Sequence, residues 1–191
     1  MDSPFMAEVA EGLAQRDLRT ARFEFPYMAA RRTGGRRPPD RLPVLLETWR
    51  AVIANLGRER IVIGGKSMGG RVASVIAADL DVAGLPVLGV VCLGYPFHPP
   101  GRDPGPNRIE HLSRLTTPTL ILQGTRDPFG TPEDIEGYNL MPAVRLIWLA
   151  DGDHDLKPRR VSGRHWPTNR DEALDAIAMF VGELGSAPVH R

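Results

Sequence analysis

Ile61-Val62-Ile63-Gly64-Gly65-Lys66-Ser67-Met68-Gly69-Gly70-Arg71, "IVIGGKSMGGR", decides how the chain is read. Gly-Lys-Ser after a strand suggests a phosphate-binding loop. Gly-x-Ser-x-Gly between a strand and a helix suggests a serine nucleophile on a sharp turn. The phosphate loop needs Gly-x-x-x-x-Gly-Lys-Ser, which puts its first glycine at residue 60, and that residue is Arg60. Ile61 to Ile63 also fill the positions that would form the loop, and a strand cannot wrap a phosphate. The nucleophile reading fits the same residues better. Gly65 and Gly69 are expected to give room where strand and helix nearly touch. The helix start, with the Met68 N–H as oxyanion donor, adds partial positive charge beside Ser67.

A serine needs a base to take its proton, and the base needs an acid to orient it. The expected order is Ser, acid, His, each at the carboxyl end of a strand. "LILQGTRD" presents Asp127 and "LIWLADGDH" presents His154. Asp151, Asp153 and Asp155 are rival partners for His154, although they lie too close in sequence to come from a neighbouring strand. His98 in "YPFHPPG" follows the wrong strand for a base and reads as a pocket wall that would touch substrate. His111, His165 and His190 read as surface residues. No Cys/His set has zinc spacing, so neither a metal nor a cofactor is expected.

The rest of the chain alternates strand and helix. Ser3-Pro4 starts a helix running to about Asp17, with Phe5, Val9 and Leu13 on one face. "TARFEF", Thr20 to Phe25, alternates and reads as a strand, and "PYMAARRTGGRRPPD" reads as a loop. Asp40 would cap a helix from Leu42 to Leu56 that Gly57 ends. A strand at Ile61 to Gly64 precedes a helix from Ser67 to Leu80. Val87–Leu93, Thr119–Gln123 and Val144–Leu149 are further strands. A short helix is expected at Ile109 to Leu115, another start at Thr131-Pro132-Glu133-Asp134, and a closing helix from Thr168 to Leu184. Apolar strands between helices imply a parallel sheet covered on both faces, in one domain over residues 1–185 with a frayed tail at 186–191.

Composition excludes several classes. A net charge of +1 over 191 residues gives no global footprint for nucleic acid. No apolar run approaches the roughly 20 residues a membrane helix needs, and the N-terminus has no signal-peptide pattern. The single cysteine, Cys92, lies in an apolar run and fits a reducing cytoplasm.

"GGKSMGGR", "LGYPFHPPG", "TLILQGTRDPFG" and "DGDHDLKPR" together resemble the α/β-hydrolase branch related to testis-expressed protein thirty and the third subunit of the NSL chromatin complex, and more distantly the dienelactone hydrolases. The resemblance implies an α/β-hydrolase fold without a cap domain. It also implies Ser67 as nucleophile, Asp127 as acid and His154 as base, acting on a small-molecule carboxylic ester or thioester. Some relatives are scaffolds, so a non-catalytic protein-interaction module, with a protein partner, is the other reading.

In that fold a strand and an oxyanion loop precede the first helix, and here the helix starts almost at Met1. The expectation is either that Met1 is an internal methionine taken for the start or that the chain is N-terminally truncated. The missing strand would leave a gap of about 10 Å between "TARFEF" and "IVIGG". Of the 24 basic residues only Lys66 and Lys157 are lysines. Arg31, Arg32, Arg36, Arg37 and Arg41 follow one strand, and Arg159, Arg160 and Arg164 follow His154. Arginine-favouring codon usage is one reading of that excess. Their placement suggests an anionic portion of the substrate, with Arg159 and Arg160 as contacts, or an acidic partner. Lys66 is expected to point away from the pocket and hold the elbow through surface contacts.

Overall fold

Four short apolar runs bounded by Gly, Pro or polar residues form the sheet of the computed structural model, which describes residues 3–32, 34, 37–101 and 108–186. The strands are β1 (Val62–Lys66), β2 (Gly89–Leu93), β3 (Thr119–Gly124) and β4 (Val144–Leu149), side by side in that order and all parallel. Every residue of β2 and β3 is buried, because both faces are covered and the neighbours take both edges.

The helices are α1 (Pro4–Ala14), α2 (Pro26–Arg32), α3 (Leu42–Leu56), α4 (Met68–Val82), α5 (Pro132–Ile135) and α6 (Trp166–Ser186). One face of the sheet carries α3 and α4, whose Leu45, Trp49, Ile53, Val72 and Ile76 enter a core with Ile63, Val90 and Ile121. The other face carries α1 and α6, where Phe5, Val9, Leu174, Ile177 and Phe180 pack on Val91, Leu93, Leu120 and Leu122. α3 has the expected bounds, and Gly57 ends it at φ 82°, a left-handed geometry that glycine adopts without steric cost. α5 has the expected capping box, with Thr131 N–H donating to Asp134 at 2.8 Å. α6 runs through Ser186, and the remainder of the expected tail lies outside the described residues.

Several expectations are corrected. "TARFEF" is not a strand. Its alternation is real, since Phe23 and Phe25 turn to one side and Phe23 packs edge-on against Trp49 at 4.6 Å, but it joins no ladder. An extended segment becomes a strand only when a neighbour takes its hydrogen bonds, and the described sheet ends at β1. The following loop contains α2. Asp40 serves that helix rather than α3, accepting from Tyr27 N–H at 2.8 Å. The segment near Ile109 is a 3₁₀ turn, Glu110–Ser113. Its His111 is buried, not a surface residue. His111 Nε2 lies 2.8 Å from Ser74 Oγ and 3.2 Å from the Tyr95 hydroxyl. His165 is exposed as expected, and His190 lies outside the described residues. No described helix is long and apolar enough to cross a membrane.

Candidate active site

β1 ends at Lys66 and α4 begins at Met68, so the chain must reverse at Ser67. It does so at φ 52° and ψ −120°, a conformation that costs a non-glycine residue on the order of 1–3 kcal/mol. The turn is tight enough that a Cβ on Gly65 would lie 3.0 Å from the Gly69 carbonyl carbon. The second glycine that makes room is Gly70, not Gly69. A Cβ on Gly70 would meet Gly65 O at 2.7 Å and Cys92 Cβ at 3.1 Å, whereas one on Gly69 points into open space. Met68 opens α4, where first-turn N–H groups have no acceptor inside the helix, leaving its N–H available beside Ser67.

Two neighbouring loops meet this turn because their backbones touch. A Cβ on Gly124, at the end of β3, would collide with the carbonyl oxygens of Gly152 and Asp153. Arg126 N–H donates to Gly152 O at 2.9 Å, and Asp151 N–H donates to Thr125 Oγ1 at 2.8 Å. Gly94, at φ +60° after β2, leaves room for the His154 carbonyl, 2.5 Å from where its Cβ would stand. Asp127 and His154 are thereby fixed in one place.

The result is a continuous chain of hydrogen bonds. His154 Nε2 lies 2.8 Å from Ser67 Oγ, and His154 Nδ1 lies 2.8 Å from Asp127 Oδ2. An ionised Asp127 can only accept, so Nδ1 carries the proton and Nε2 faces the serine as an acceptor. Asp127 is fully buried and receives two more donors, Gln123 Nε2 at 2.8 Å and Phe129 N–H at 2.9 Å. Sequence reasoning missed Gln123. A polar residue closing the apolar run "TLILQ" was the available signal, since a buried amide needs partners. Gln123 also accepts from Tyr95 N–H at 2.6 Å and donates to Tyr95 O at 3.1 Å. The Phe129 ring packs against the imidazole at 4.4 Å between centroids.

The three rival acids are otherwise engaged. Asp153 accepts from the N–H groups of Asp155 and Lys157 and so shapes the His154 turn. Asp151 is gripped chiefly by Arg159 and also by Arg126, which hold its carboxyl well below the usual carboxylate range. Asp155 pairs with Lys66 at 2.7 Å and is also held below its usual value, chiefly by that ammonium. Lys66 thus leaves the elbow sideways.

Other expected contacts are placed differently. His98 Nε2 faces Asp134 at 3.1 Å, and its Nδ1 faces the Pro99 carbonyl at 3.0 Å. It belongs to the start of α5 rather than to the hydrogen-bonded chain. Arg159 closes on Asp151, with Nη2 at 2.5 Å, so its fork is occupied, and Arg160 is exposed. Arg31 donates to the Arg37 carbonyl and Arg32 pairs with Glu24, while Arg36 lies outside the described residues. Two surface grooves, of about 330 Å³ beside Phe23 and Val52 and about 470 Å³ beside Leu146 and Trp148, lie away from Ser67. Neither is lined by a nucleophile and base in contact, so the hydrogen-bonded chain is the candidate site. Among the described residues no group of three His, Cys, Asp or Glu side chains is placed to hold a metal.

The profile of the Alpha/beta hydrolase domain family matches residues 1–182. The chain belongs to that family. Solved structures of hydrolase domains share its fold. Est1E from Butyrivibrio proteoclasticus with bound ferulic acid is 15% identical, with a TM-score of 0.66 over 97% of this chain and 85% of that one. An alpha-beta serine hydrolase homologue from Coxiella burnetii is 18% identical, with a TM-score of 0.62 over 96% and 77%. The esterase domain of a Rhodothermus marinus protein is 15% identical, with a TM-score of 0.62 over 94% and 80%. At these identities the likeness establishes the α/β-hydrolase fold. No curated protein matched the chain by sequence.

Proposed function

We propose that this hydrolase domain cleaves a carboxylic ester or thioester through an acyl-enzyme. The observation that carries this reading is the unbroken Ser67–His154–Asp127 hydrogen-bonded chain on a turn whose serine is held at positive φ. Ser67 Oγ attacks the substrate carbonyl while His154 Nε2 takes its proton. The negative charge that develops on the carbonyl oxygen is met by the Met68 N–H and the start of α4. His154 then protonates the leaving alcohol or thiol. Asp127 keeps the imidazole in the reactive tautomer and stabilises its charged form. Water, deprotonated by His154, releases the acyl group and restores Ser67.

The Rhodothermus marinus esterase domain, which has the same fold, supports the ester class. The four motifs quoted above support a place near the branch of testis-expressed protein thirty. The buried thiol of Cys92, which burial pushes up and away from the reactive thiolate, supports a cytoplasmic setting. With Arg159 occupied, recognition of an anionic substrate portion falls to the exposed Arg160. The other reading is a non-catalytic interaction module on the same fold. Turnover of short-chain para-nitrophenyl esters separates the two. Hydrolysis by the wild-type chain that disappears in Ser67→Ala upholds the enzyme; no turnover in either protein, with both folded, rejects it.

A further inference from the structure

Lys66 immediately precedes Ser67, and Asp155 immediately follows His154. Their side chains form an ion pair, Lys66 Nζ to Asp155 Oδ1 at 2.7 Å. Exposed ion pairs contribute little because two long side chains must be ordered to make them. Here packing orders the lysine end of the pair, while the Asp155 side chain is 48% exposed. The Lys66 side chain is only 18% exposed, and its ammonium stands over the Phe5 ring, 5.4 Å from the centroid. Phe5 packs against Trp166 at 5.6 Å, and Lys157 stands over Trp166 at 5.6 Å. Lys157 and Asp155 belong to the same loop, so that loop is held to the elbow directly and through α1 and α6.

Among the described residues, the charged groups near His154 come from a handful of elements. Asp127 lies on Nδ1, and Asp155 is its neighbour along the chain. Lys66 arrives from β1, and Lys157 sits farther along the loop. The Asp153 carboxylate is used by two backbone N–H groups, and Asp151 and Arg126 are paired with each other. From α1, Glu8 is bonded to Trp166 Nε1 at 2.9 Å. The β2 side brings backbone through Gly94, and the β3 side brings the neutral Phe129 ring.

The geometry points to Lys66 and Asp155 as positioning residues for the Ser67–His154 proton transfer. The pair fixes the spacing of nucleophile and base, and the ammonium balances the carboxylate that follows His154 in the chain. This rests on the hydrolase reading above. It makes a signed prediction. Lys66→Met leaves the Asp155 charge uncovered, which favours the imidazolium and raises the pH at which His154 becomes a base. Asp155→Asn leaves the Lys66 charge uncovered and lowers it. Both changes break the same ion pair, so a merely structural role moves both the same way or moves neither.

The test is the pH dependence of kcat/KM for para-nitrophenyl acetate, with parallel NMR titration of the His154 ring proton. The expected midpoint shifts are about 0.5–1 pH unit upward for Lys66→Met and about the same downward for Asp155→Asn. In both variants kcat falls about 3–30-fold from loosened spacing. Lys66→Arg and the double variant Lys66→Met/Asp155→Asn return the midpoint close to wild type. Shifts of the same sign, or a loss of thermal stability without any shift, overturn the inference. Should the wild type show no Ser67-dependent turnover, the hydrolase reading fails and the ring titration decides alone. Opposite shifts then uphold the charge balance, and equal or absent shifts reject it.

Discussion

His111 offers a prediction whose size can be worked from its surroundings. Its ring is 5% exposed, and Nε2 faces Ser74 Oγ and the Tyr95 hydroxyl beneath α4. Burial, with the positive charges of Arg71 and Arg114 nearby, lowers its pKa from 6.5 to about 4. The folded protein therefore holds His111 neutral where the unfolded chain would protonate it. Above pH 6.5 the two states agree and the stabilising term is fully present. As pH falls from 6.5 towards 4 the unfolded state binds the extra proton, and stability declines. At about 1.36 kcal/mol per pKa unit the full loss from this group is about 3 kcal/mol. Urea unfolding of wild type and His111→Gln at pH 7.5, 6, 5 and 4 reads this directly. His111→Gln is expected to be less stable at pH 7.5, because the buried Ser74 and Tyr95 hydroxyls are rearranged. It should also lose about 3 kcal/mol less than wild type on going to pH 4. Parallel curves for the two proteins would refute the reasoning and place His111 in contact with water.

Three further outcomes are expected. Asp127→Asn should keep the fold and lower kcat by about 10³–10⁴, because the amide can donate to Nδ1 and favour the wrong tautomer; ester kinetics on the folded variant check it. Gly70→Ala should cost about 1–3 kcal/mol in denaturant melts, since its Cβ meets Gly65 O at 2.7 Å, while Gly69→Ala should cost nothing because its Cβ points into open space. Arg160→Ala should weaken kcat/KM for esters carrying a carboxylate while leaving neutral esters unchanged, and equal effects on both would remove the anionic-substrate proposal.

The parallel sheet and most of its helices were legible because burial on both faces leaves a direct mark on sequence. The β2 run is apolar at nearly every position, β3 holds Leu120, Ile121 and Leu122 in a row, and α3 repeats Leu45, Trp49 and Ile53 at helical spacing. Ser67, Asp127 and His154 were legible for another reason: each closes an apolar run where the chain must leave the sheet. What the sequence concealed depends on long-range partners. Alternation in "TARFEF" reports two inward phenylalanines equally well with or without a ladder. Asp40 lies next to α3 in sequence but bonds α2 in space. Whether His111 faces water is decided by Ser74 and Tyr95, which are distant in sequence. Which glycine is crowded was likewise hidden, since Gly65, Gly69 and Gly70 look alike until the angle between β1 and α4 is known.

The measurement closest to the central claim is fluorophosphonate labelling of the purified chain, with the modified peptide identified by mass spectrometry. The Ser67–His154–Asp127 account predicts a stoichiometric label on the Ser67 peptide, lost in Ser67→Ala and strongly slowed in His154→Ala. A folded wild-type protein that takes no label, or takes it at the same rate without His154, would contradict it.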